Sequence, residues 1–95
     1  MDLEERTIKD TIGKIDVLVQ ETEVDSMQVT ASKIVNLIWS NNVIRPSTLE
    51  TQRYSELNAI ADLAADIELE REDDEHRELW RTLVINLDIM KEKLE

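Results

Sequence analysis

Cysteine is absent from the 95-residue chain, which excludes a disulfide framework, a thiolate zinc site and a cysteine nucleophile. Glycine and proline occur once each, and aromatic residues make up 3% of the sequence. A sheet protein of this size needs more turn residues and more aromatic and β-branched alternation, so the composition points to an all-α fold. One glycine cannot build a phosphate-cradling loop. No apolar run approaches the ~18 residues needed to cross a bilayer. The opening Met1-Asp2-Leu3-Glu4-Glu5 is acidic and polar, unlike the basic-then-apolar start of a signal peptide. A soluble cytoplasmic protein is expected, with neither cofactor nor membrane contact.

Positive charge is also scarce. Eleven bases against twenty-two acids give a net charge of −11 and a pI near 4.4. Phosphate backbones and anionic lipid repel such a chain on average, so direct nucleic-acid binding is disfavoured and basic partners are favoured.

The apolar residues that are present recur at helical spacing. His76, Trp80, Leu83, Leu87, Met90 and Leu94 follow one another at four, three, four, three and four, the spacing of one packed helix seam. Ile85 and Ile89 project to the opposite side, with Thr82 beside them. A helix apolar on two sides is either central in its bundle or shared with a second chain. The last helix is therefore expected to be the keystone of the core, and Thr82, Ile85 and Ile89 a surface for homodimerisation.

Upstream, Ile8, Ile12, Ile15 and Val19 line a first helix over 3–21, capped by Asp2 with Glu5. Gly13 interrupts it at a cost of ~1 kcal/mol relative to Ala, which suggests close approach of a neighbouring helix. Met27, Ala31, Ile34 and Ile38 line a second helix over 25–40, with Asp25 as N-cap and Val35 and Trp39 broadening the face. Asn41-Asn42 suits a left-handed helix end, and Val43 and Ile44 are expected to fold back on the core. Ser47-Thr48-Leu49-Glu50 reads as a capping box. It opens a third helix over 47–70 that presents Tyr54, Leu57, Ile60, Ala61, Ala64 and Ile67. The apolar phase breaks between Ile67 and Trp80, which predicts a turn and a fourth helix over 74–94; without the turn the last two helices would be one. The fold expected is a single-domain antiparallel bundle of four helices, or three, with Trp39, Leu57, Ile60, Trp80, Leu83 and Leu87 in the core.

Residues 66–78 carry eight acids and two arginines. Asp66, Glu68, Glu70, Glu72, Asp73, Asp74, Glu75 and Glu78 form a candidate face for a basic, nucleic-acid-binding protein, with Asp2, Glu4, Glu5, Asp10 and Asp16 extending it. The function expected is that of a small non-enzymatic regulator or inhibitor. Two other chemistries compete with it. The carboxylates of 62–78, with His76 one turn after Glu72, are hard ligands suited to Mg²⁺. Glu72-Asp73-Asp74-Glu75 and Glu75-His76-Arg77-Glu78 each resemble the E-x-x-E element of the all-α nucleotide pyrophosphohydrolases of the MazG type, which implies a magnesium-dependent phosphohydrolase. The later E-x-x-D pair of that family has no counterpart at suitable spacing. Helices two and three, with Ser47, Thr48, Thr51, Gln52 and Arg53 at the junction, also suit major-groove reading, although residues 26–61 net only +1.

Overall fold

The computed structural model describes residues 2–23, 26–69 and 73–94. Among these every regular element is helical: α1 (Leu3–Glu21), α2 (Met27–Trp39), a short α3 (Pro46–Leu49), a 3₁₀ turn (Gln52–Tyr54), α4 (Ser55–Leu69) and α5 (Asp73–Lys93). The helices pack into a bundle, and no helix among the described residues is long and apolar enough to cross a membrane.

Local signals start and stop these elements. Asp2 accepts a 2.7 Å hydrogen bond from the Glu5 amide, the N-cap expected from the sequence. Asp25 lies outside the described residues; α2 follows Ser26, whose hydroxyl and backbone close a turn on Glu23. The end of α2 differs from expectation. No described residue has positive φ, so Asn41 does not adopt the left-handed conformation. Its side-chain oxygen accepts from the Val43 and Ile44 amides at 2.8 and 3.3 Å instead, turning the chain through the side chain.

The expected helix over 47–70 is also divided. Pro46 sits in the first turn with Arg45 as N-cap, because proline's fixed φ suits that position and Pro lacks the N–H that a helix start leaves orphaned. The resulting α3 lasts four residues, and the main helix starts only at Ser55. α4 and α5 are separate helices that pack extensively on each other. Two helices that pack along each other in this way exclude a single long helix over 47–95.

The core forms where the apolar stripes meet. Ile8, Ile15, Ile34, Ile38, Leu57, Ile60, Ala64, Ile67 and Leu83 are wholly buried. Ile44 and Leu49 close one end at 4% and 3% exposure. α4 rather than α5 is the hub, since it packs most heavily on both α5 and α2 while α1 touches its neighbours more lightly. Its alanines 61 and 64 are buried at that junction. The chain's two tryptophans lie toward the outside: Trp80 is half-buried and Trp39 is 49% exposed. Trp39 projects about 125° from the centre of the buried Thr30, Ala31, Ile34 and Ile38 stripe, so its size does not bring it inside.

Candidate interaction surfaces

Two surfaces follow from the expected acidic face and the expected seam of α5, and a third was not foreseen. Asp66 and Glu68 are exposed at the end of α4, and Glu75 and Glu78 are exposed at the start of α5. Glu70 and Glu72 and the side chains of Asp73 and Asp74 lie outside the described residues. Asp66, Glu68 and Glu78 make no ion pair with a described residue. Leu69, beside them, is 78% exposed. Gln28 reaches the end of α4, donating to the carbonyls of Ile67 and Glu68 at 3.5 and 3.4 Å. That contact pins the acidic end of the hairpin to α2.

The N-terminal acids do not join this face, because each has a task within the chain. Asp2 caps α1, Glu4 accepts from the buried Thr48 hydroxyl at 3.2 Å, and Glu5 pairs with Arg53 at 3.0 Å. Asp10 pairs with Lys14 at 3.2 Å and Asp16 with Lys91 at 3.1 Å. Of the acids expected to form the face, Asp66, Glu68, Glu75 and Glu78 are the described ones exposed on α4 and α5.

Two of the polar residues expected at the DNA-reading junction are committed in the same way, while Ser47, Thr51 and Gln52 are exposed. Thr48 is buried, and the Arg53 guanidinium, besides its pair with Glu5, stands 5.2 Å from the centre of the Tyr54 ring. A four-residue α3 also gives no recognition helix where one was expected. Among the described residues, no three acids or histidines come together as a group able to hold a metal ion. His76 is 8% exposed and belongs to the buried seam of α5.

The outer face of α5 is open. Ile85 is 53% and Ile89 38% exposed, with Thr82 exposed beside them, so burial within the bundle does not account for this stripe. The Thr82 hydroxyl donates to the Glu78 carbonyl at 3.1 Å, and the Asn86 amide donates to the Thr82 carbonyl at 2.9 Å. These local bonds leave the isoleucines as the main apolar groups of the face.

The third surface is a groove of about 1000 Å³ between α1 and α2. Gly13, Val17, Leu18 and Leu37 give it an apolar floor, and Arg6, Lys9, Lys14 and Lys33 give it a cationic rim, with Asp10 the acid among its lining residues. Four of the eleven bases and one of the twenty-two acids are gathered there, a local +3. The remaining seven bases and twenty-one acids leave −14 elsewhere. The sequence did hold a signal for this groove. Arg6 and Lys14, with Gly13 and Val17, fall on the side of α1 opposite Ile8, Ile12 and Ile15, and Lys9, the remaining base of the first twenty-five residues, lies at its flank. Net charge conceals such a stripe because it averages over the whole surface.

The chain matches no protein-family model, curated protein or solved structure.

Proposed function

We propose that this chain is a non-enzymatic protein-interaction module of the cytoplasm, a regulator or inhibitor that offers the acidic end of its α4–α5 hairpin to a basic, nucleic-acid-binding partner. The observation that carries this reading is the exposed set Asp66, Glu68 and Glu78, without ion pairs among the described residues, on two helices whose opposite faces are locked in the core. Charges held on a rigid frame attract a complementary surface at a distance and impose little ordering cost on contact. Leu69, exposed at the same end, supplies apolar contact once the partner has arrived.

The test is affinity capture from lysate of the source organism, eluted with a rising salt gradient. A basic nucleic-acid-binding protein, released as salt rises and not retained by a variant carrying Asp66→Asn, Glu68→Gln and Glu78→Gln, is the expected result. Equal retention by the variant removes the proposal.

A second association has its own observation. The exposed Thr82, Ile85 and Ile89 face supports pairing with another copy of the chain through α5. Light scattering on the eluting protein should then give a dimer mass for the wild type and a monomer mass for Ile85→Lys combined with Ile89→Lys. A monomeric wild type at high micromolar concentration contradicts this pairing.

A further inference from the structure

We infer that the α1–α2 groove is a docking site for an acidic amphipathic helix of another protein, separate from the acidic end of the α4–α5 hairpin. Electrostatic complementarity is the first argument. The groove holds +3 on a molecule that carries −14 elsewhere, and Arg6, Lys9 and Lys33 make no ion pair with a described residue. Only Lys14, through Asp10, is partly compensated. Cations gathered on one stripe of a strongly acidic protein mark the place where a negative segment is accepted while anionic surfaces at large are repelled.

Shape is the second argument. The floor is apolar, Val17 stands 53% exposed within it, and the groove runs between two helices. That arrangement suits a third helix laying its apolar stripe along the floor and its acids against both rims.

Gly13 is the third argument. It lies inside α1, where glycine weakens a helix. Its φ is not positive, and a Cβ built there meets nothing within 4 Å. Neither backbone conformation nor packing within the chain requires it, so the close-approach role expected from the sequence is not filled by this chain's own helices. Its position on the groove floor lets an incoming helix come near the α1 backbone.

The test is selection of helical peptides from an unbiased display library against the full chain. The expected binders carry apolar residues at i, i+3, i+4 and i+7 with acids flanking them. They should lose about tenfold or more in affinity against Lys9→Glu combined with Lys33→Glu, and should be blocked by Gly13→Trp. Gly13→Ala should raise the thermal midpoint of the free protein, and Gly13→Trp should keep a wild-type helical circular dichroism spectrum, which separates lost docking from lost folding. Selection of no binder, or of binders indifferent to the lysine reversals, overturns the inference. So does self-association that the reversals abolish, since a second copy would then be the occupant. Basic peptides that bind through Asp66, Glu68 and Glu78, with none in the groove, would also overturn it while supporting the function proposed above.

Discussion

Tyr54 shows how a single side chain is held by its surroundings. It ends the 3₁₀ turn with its ring buried, and its hydroxyl has no hydrogen-bond partner among the described residues. Burial raises the phenol above its ordinary pKa of 10.0; Arg53 opposes the rise, and Glu4, Glu5 and Asp2 reinforce it. Above pH 10 the unfolded chain gives up this proton more readily than the folded one, so folding stability falls as pH rises through that range. Tyr54→Phe is expected to remove this part of the alkaline loss and to leave stability at neutral pH equal or higher, because a buried hydroxyl without a partner contributes nothing favourable. Denaturant titrations of both proteins at pH 7 and pH 10.5 check both statements; a neutral-pH loss in the variant contradicts them. Gly13 is the converse case of a residue with no task in its own fold. Gly13→Ala should stabilise the chain by about 0.4–1 kcal/mol, measured the same way.

At the scale of elements, α5 combines a face that the fold uses with one that it does not. Leu83 is wholly buried on the seam with His76, Leu87 and Met90. Leu83→Ala should cost ~2–5 kcal/mol through lost burial and the cavity left behind, a large part of the stability of so small a domain. A thermal midpoint that barely moves contradicts the placement of this seam. At the last residue of α5, the Lys93 ammonium meets the Glu56 carboxylate at 2.6 Å. Its hydrogen bond holds the Glu56 pKa below the ordinary 4.5. The stability this pair contributes is present above pH 4.5 and is lost as pH falls through the lowered value. Lys93→Met should therefore reduce the acid sensitivity of folding, at a cost near neutral pH of no more than about 1 kcal/mol for so exposed a pair.

The helices themselves were legible because their buried faces are regular. Ile8-Ile12-Ile15, Ala31-Ile34-Ile38, Leu57-Ile60-Ala64-Ile67 and Leu83-Leu87-Met90 all face inward as the 3.6-residue period requires. What the period does not encode is which exposed residue meets which. The capping-box pattern at Ser47 looked like the start of a long helix, yet Pro46 moved the N-cap to Arg45 and the helix stopped at Leu49. Trp39 looked like core by size, but its angle on α2 sets it outside. The N-terminal acids looked like free surface until Thr48, Arg53, Lys14 and Lys91 came to meet them, three of these partners from distant sequence.

For the whole molecule, the distribution of charge matters more than its total. Internal contacts engage Asp2, Glu4, Glu5, Asp10 and Asp16, while Asp66, Glu68, Glu75 and Glu78 are exposed on α4 and α5 and a cationic groove lies between α1 and α2. On the proposed reading, the protein discriminates among partners by the sign and position of their charge, and association rates depend on ionic strength more than dissociation rates do. The most direct measurement is the association rate of the captured basic partner as a function of ionic strength, for the wild type and for the Asp66→Asn, Glu68→Gln, Glu78→Gln variant. The account predicts a steep fall with salt for the wild type and a slower, flatter dependence for the variant. Superimposable salt dependences would contradict it.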